Sequence, residues 1–206
     1  MFIVIISILA AYLIGSIPTS YIVGKLVRGI DLREHGSGNL GATNAFRALG
    51  WKIGVFVLIC DVLKGAIPVL VFSGIAAERS GLGLAKHNIG LLIGLAAIMG
   101  HIFTIFMKFR GGKGVAASMG VFLALAPIPF LITFAVSALI IGVTRYVSAG
   151  SIIGAILLPI MVYIFYPYPD RVFFIIFTIV LGILVIVRHR SNIVRLLKGQ
   201  EHKLFP

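Results

Sequence analysis

Long uncharged runs alternate with short polar, glycine-rich stretches along the whole chain. Residues 2–24 form the first run; they carry no charge and lack the basic start of a cleavable leader, so a retained first helix is expected. Residues 53–77 form the second, interrupted by Asp61 and Lys64, and residues 88–107 the third. Residues 114–144 are uncharged throughout. As one helix that stretch would measure about 46 Å, too long for a hydrocarbon core of about 30 Å without a steep tilt. Pro127 and Pro129 stand near its middle, and two prolines so close remove donors and predict a turn that divides it into two crossings. Residues 146–169 and 172–187 supply two more. The pattern predicts an all-α integral membrane protein with seven transmembrane helices. With no fixed-period repeat, low-complexity tract or long linker, residues 1–206 are expected to form a single membrane-embedded domain.

Composition agrees with that reading. The chain is 60% hydrophobic and only 12% charged, with a mean hydropathy of +1.13; soluble domains carry roughly a quarter charged residues. A water-soluble globule is excluded. Cys60, the single cysteine, rules out an intrachain disulfide and a four-cysteine metal site. A net charge of +12 would suggest a nucleic-acid partner in a soluble chain, but here the basic residues have an orienting role. With seven spans, fourteen of the eighteen Lys and Arg residues fall on the side of the C-terminus; Arg79, Lys86 and Arg171 lie opposite, and Lys64 stays in the membrane. With six spans the division is nine against eight and carries no asymmetry. The expected topology therefore has the N-terminus outside and the C-terminus in the cytoplasm, with no nucleic acid as partner.

Three polar segments then share the cytoplasmic face. The first, residues 36–47, contains Gly36, Ser37, Gly38, Asn39, Gly41, Thr43, Asn44 and Arg47. Glycines allow successive N–H groups to converge on an anion, the hydroxyls and amides add hydrogen bonds, and Arg47 offers a bidentate fork; the bland alternative is a flexible turn. In the second, Gly111-Gly112-Lys113-Gly114 opens a helix, placing backbone donors and a mobile charge where phosphate binds well. Its spacing is not that of a nucleotide-hydrolysing P-loop. The third, residues 188–201, reads as an interfacial helix in which Arg188, Arg195 and Lys198 lie toward head groups, while His189 and Asn192 share a face suited to a polar substrate. A weaker fourth feature is Arg145 with Ser148 and Ser151 at a helix start. Inside the membrane, Asp61 and Lys64 are three apart, and a mutual ion pair is the favoured reading over a proton relay.

No histidine stands five residues before an aspartate, and there is no nucleophile elbow, zinc helix or plausible exposed catalytic cysteine. What remains is a set of groups suited to gripping phosphates at a membrane surface. An organic-phosphate transporter and an anionic-lipid-binding scaffold are the competing classes. Transport fits less well, because its sites usually lie at the midplane, where only Asp61 and Lys64 qualify.

Read in order, G-S-G-N-x-G-A-T-N-x-x-R at 36–47, R-G-G-K-G-V-A at 110–116 and R-H-x-x-N-I-x-R-L-x-x-G-x-E at 188–201 resemble the bacterial acyl-phosphate-dependent glycerol-3-phosphate acyltransferase family. The resemblance covers essentially the whole chain. It implies transfer of an acyl group from acyl phosphate to the sn-1 hydroxyl of glycerol 3-phosphate, giving lysophosphatidic acid and phosphate in phospholipid biosynthesis. No cofactor, metal or obligate protein partner is implied, only the two substrates and membrane lipid. The location implied is the bacterial inner membrane, with the site on its cytoplasmic side. By the same resemblance Lys113, Arg47, His189 and Ser148 are catalytic candidates. Ser37, Gly38, Asn39, Gly41, Thr43, Asn44, Gly112, Arg188, Asn192 and Glu201 are candidates for binding substrate or phosphate. An acyl phosphate is already activated, so direct attack without an acyl-enzyme is expected. His189, Glu201 and a substrate oxygen all remain open as proton acceptor.

Overall fold

The computed structural model describes residues 1–81, 86–167 and 169–204, and every regular element among them is helical. The sequence offers no linker, yet the packing divides the chain into two compact units, the first ending at Leu125 and the second beginning at Ala126.

In the first unit, the run expected as one helix over residues 2–24 is two: α1 (Phe2–Ser16) and α2 (Thr19–Arg28). Pro18 explains the correction, since it lacks an N–H and its ring crowds the preceding turn. Then follow α3 (Ala42–Leu49), α4 (Trp51–Ser80), α5 (Lys86–Ile102) and α6 (Val115–Leu125). The third apolar run was expected to continue to residue 107. Instead α5 stops at Ile102 and a 3₁₀ turn, Ile105–Met107, follows. Thr104 explains the stop: its carbonyl accepts the N–H groups of Met107 and Phe109, closing a tight turn. α1 packs on α5, and α6 on α4, through glycines that leave no room for a Cβ: Gly15 against the Ala97 carbonyl, and Gly65 against that of Ala117. Such close backbone approach maximises dispersion contact between helices whose outer faces meet lipid.

The expected ion pair is present. Lys64 Nζ lies 2.8 Å from Asp61 Oδ1, with the two side chains 7% and 2% exposed. Lys64 also donates to the Ile17 carbonyl at 3.0 Å, and the Thr104 hydroxyl donates to the carbonyl of Ser16. The proline break thus exposes main-chain acceptors inside an apolar bundle, and two side chains from other elements satisfy them.

In the second unit, α7 (Pro127–Thr144), α8 (Val147–Phe165) and α9 (Arg171–Arg188) pack in sequence, and a short α10 (Arg190–Leu197) closes it. The turn expected at Pro127 and Pro129 falls at Ala126; Pro127 takes the first helical position, where its missing N–H costs nothing. Six stretches among the described residues are long and apolar enough to cross a membrane. α6, with 11 residues, is shorter, spanning about 16 Å at ~1.5 Å per residue.

The Asp61–Lys64 pair yields a stability test. Lys64→Met leaves a buried carboxylate without its cation, so it is expected to destabilise the protein by about 3 kcal/mol or more. Asp61→Leu combined with Lys64→Met should cost less than Lys64→Met alone, as read from thermal unfolding in detergent. A double variant less stable than the single one would show that the pair is not the cause.

Candidate active site

The glycine-rich loop is pinned at both ends by burial. Leu32 and Leu40 insert beside Ala45, Leu49 and Val57 in one hydrophobic cluster, which Met107 of the 3₁₀ turn completes. The first and second polar segments, distant in sequence, are therefore anchored in the same small core. Ahead of the loop, Arg33 grips Asp31 through Nη2–Oδ2 at 2.6 Å and Nε–Oδ1 at 3.0 Å, and its guanidinium lies 5.3 Å from the centroid of the Tyr21 ring. The hydrogen bond from Arg33 holds the Asp31 carboxyl down to about 2.

Asn44, 1% exposed, spends its amide on the loop itself. It accepts the Ser37 N–H at 3.0 Å and donates to the carbonyls of Leu32 at 2.9 Å and His35 at 3.0 Å. Its geometry shapes the loop, while Ser37 is exposed and Gly38, Asn39, Gly41 and Thr43 are partly exposed along the loop and the start of α3. Gly36 and Gly38 take φ of +59° and +69°, which side chains rarely adopt. Gly41 precedes α3 and no side chain caps that helix. Arg47 lies in its last turn.

The Gly-Gly-Lys turn was expected to offer its backbone donors to an anion at a helix start, and two of them are used otherwise. Gly111 donates its N–H to the Ile102 carbonyl and Gly112 to that of His101, each at 3.0 Å. Both amides finish α5 and are spent there. Just before, Lys108 and Phe109 hold consecutive positive φ angles of 53° and 61°, a conformation that costs non-glycine residues of order 1 kcal/mol each. That kink turns the chain back onto α5. Lys113 is partly exposed and Gly112 buried.

In the second unit, Glu201 gathers the third and fourth segments. Its Oε1 accepts from Ser148 Oγ at 3.1 Å and Asn192 Nδ2 at 2.7 Å, and its Oε2 accepts from Arg195 Nε at 2.8 Å. Burial pushes the Glu201 carboxyl up, but the hydrogen bonds from Asn192, Arg195 and Ser148 outweigh it and hold the group below its ordinary value. Arg195, expected at the head groups, instead clamps this carboxylate. His189 sits at the junction of α9 and α10, 4% exposed. Its Nδ1 is 2.8 Å from the Val185 carbonyl; a carbonyl only accepts, so that contact places a proton on Nδ1. Arg188 ends α9 and is half-buried. The Leu204 N–H reaches the Arg145 carbonyl at 2.8 Å and seals the tail against the corner between α7 and α8.

Sequence reasoning missed His101 and the clamp by Arg195. Arg195 is three residues from Asn192, and that helical spacing was the available signal; His101 announced itself only as a polar residue near the end of an apolar run.

Because Glu201 titrates lower in the folded protein, its contribution to stability is complete above the ordinary glutamate value, about 4.3, and is lost as pH falls through the lower folded value. Thermal unfolding between pH 7 and 3 should therefore show a steeper acid loss for the wild type than for Glu201→Gln. Parallel curves would remove Glu201 as the cause.

The glycerol-3-phosphate acyltransferase family model matches residues 5–199. Among curated relatives, the glycerol-3-phosphate acyltransferase of Endomicrobium trichonymphae is 47% identical, covering 99% of this chain and 97% of its own. That of Trichlorobacter lovleyi is 46% identical, covering 95% of each. The crystal structure of PlsY, an integral membrane glycerol 3-phosphate acyltransferase, matches in its glycerol 3-phosphate form with a TM-score of 0.84 and 42% identity over 97% of this chain and 94% of that one. Its lysophosphatidic acid form matches with a TM-score of 0.82. The chain thus belongs to the glycerol-3-phosphate acyltransferase family and is, like its solved relative, an all-helical integral membrane protein.

Proposed function

We propose that this acyltransferase moves a fatty acyl group from acyl phosphate to the sn-1 hydroxyl of glycerol 3-phosphate. The hydroxyl oxygen attacks the acyl carbonyl carbon, and the bond from that carbon to the phosphate oxygen breaks. Inorganic phosphate leaves, lysophosphatidic acid forms, and the hydroxyl proton passes to a phosphate oxygen of substrate. No acyl-enzyme, metal or cofactor takes part, and no obligate protein partner is needed. Glu201 is a poor alternative base, because its oxygens are engaged and its basicity is lowered.

One observation carries the reading: the cluster of Leu32, Leu40 and Met107 anchors two phosphate-suited segments in a common core. Holding reactants in place supplies about 7–11 kcal/mol in favourable cases, and fixed donors at the developing oxyanion supply about 3–4 kcal/mol each. We assign phosphate contacts to Ser37, Gly38, Asn39, Gly41, Thr43, Arg47 and Arg188. Lys113 stabilises the leaving phosphate or oxyanion. Asn44 and Gly112 hold the loop and the turn in shape. His189 and Asn192 orient glycerol 3-phosphate, assisted by Ser148, while Glu201 fixes both Asn192 and Ser148. The forms in which PlsY was crystallised, with glycerol 3-phosphate and with lysophosphatidic acid, support the acceptor and product.

The chain works as one functional domain in the bacterial inner membrane. α6 and the turn before it make a seventh passage, the N-terminus lies outside, and the C-terminus and the reaction lie on the cytoplasmic side. The distribution of basic residues supports this topology.

Purified protein given acyl phosphate and glycerol 3-phosphate should release phosphate and form lysophosphatidic acid in equal amounts. Absence of both, with uptake of glycerol 3-phosphate into proteoliposomes, would favour the transporter instead. Lys113→Ala should lose roughly 100-fold or more in turnover, the scale for one oxyanion stabiliser; normal turnover would overturn its role. In right-side-out vesicles, cysteines replacing Ser37, Arg110 or Lys198 should resist an impermeant thiol reagent, and one replacing Arg171 should react. Labelling of the first set from outside would reverse the topology.

A further inference from the structure

Beyond the residues that meet substrate, a buried group of α4 and α5 reaches the Gly-Gly-Lys turn. His101, 5% exposed, occupies the last turn of α5. On one side its Nδ1 lies 3.8 Å from Asp61 Oδ1, the oxygen that Lys64 pairs with at 2.8 Å. On the other side the Nε2 edge of the ring lies against Gly112, so closely that any Cβ there would collide with Nε2, Cε1 and Cδ2. The carbonyl of the same residue accepts the Gly112 N–H at 3.0 Å, and a Cβ on Gly111 would strike that carbonyl. Neither glycine has a positive φ, so crowding and not backbone conformation restricts both positions: the carbonyls of residues 101 and 102 at Gly111, and the His101 ring at Gly112.

We propose that His101 is a positioning residue for Lys113. Asp61, paired with Lys64, flanks the ring on one side; the ring and the His101 carbonyl fix the path of Gly111 and Gly112; that path decides where the next residue carries its ammonium group. A buried carboxylate has few neighbours able to offset it, so the imidazole has a preferred seat inside the bundle. This gives the intramembrane pair a task beyond helix packing: it connects the broken end of α1, through Lys64 and Ile17, to the turn that carries Lys113. The inference rests on Lys113 acting on the leaving phosphate or oxyanion.

The test measures kcat per folded molecule and KM for both substrates in wild type, Gly112→Ala, His101→Ala, the double variant and His101→Gln, with thermal midpoints alongside. Misplacing a catalytic group by about 1 Å costs up to about 100-fold, so each alanine variant should lose roughly 10-fold or more in kcat. The double variant should lose no more than the worse single one, because the new methyl enters space the ring has left. His101→Gln, which keeps an amide near the ring position, should recover most of the turnover. Should His101→Ala fail to fold, Gly112→Ala with His101→Asn reads the same coupling. Losses that multiply, or a lowered midpoint with wild-type kcat, would overturn the proposal. Lys113→Ala separates the two levels: if it turns over normally, the role of the turn falls, whereas if it is impaired while the His101 variants are not, only the positioning role falls.

Discussion

A main chain that breaks inside hydrocarbon must find new partners for the carbonyls it releases, and much of the first unit is organised around that demand. Pro18 ends α1 within an apolar bundle where no bulk water can help. Lys64 and Thr104 answer from α4 and from the turn beyond α5, and neither would be tolerated there without a reason. Lys64 in turn needs Asp61, and Asp61 sits beside His101. One local irregularity therefore propagates, contact by contact, to the rim of the bundle where the polar turns begin. The outer faces show the complementary rule, with Phe2, Leu139 and Val143 largely exposed where lipid tails replace protein.

The two units fix their polar groups by different means. In the first, a hydrophobic cluster and main-chain hydrogen bonds hold a glycine-rich loop that has little regular structure of its own. Asn44 acts there as an internal strut. In the second, a single carboxylate gathers a serine of α8 and an asparagine and an arginine of α10. Both devices place donors before any ligand arrives. Preorganisation of this kind suits acyl transfer, since a fixed electrostatic frame need not reorganise as charge develops.

Much of this was legible in the sequence. The apolar runs were found because the hydrocarbon core imposes a length that composition alone reveals. The Asp61–Lys64 pair followed from helical spacing, and the division of residues 114–144 from two prolines. Pro18 is equally visible in the sequence, but it lies in a run with no charges, where apolar length alone predicts one continuous helix and only the backbone chemistry of proline divides it. The roles of His101 and Arg195 were not legible, because each depends on which residue of another element stands opposite. The amides of Gly111 and Gly112 taught a related lesson. A glycine-rich turn before a helix looks like an anion cradle, yet its donors were already needed by the end of the preceding helix.

The place of Glu201 has a bearing on biosynthesis. The carboxylate that organises the second unit stands almost at the end of the chain, while its partner Ser148 lies more than fifty residues earlier. α7 and α8 are apolar enough to enter the bilayer while translation continues, but the hub that gathers Ser148 cannot assemble until residue 201 has been made. A chain shortened before Glu201 would thus keep the apolar helices needed for insertion and lose the carboxylate on which Ser148, Asn192 and Arg195 converge.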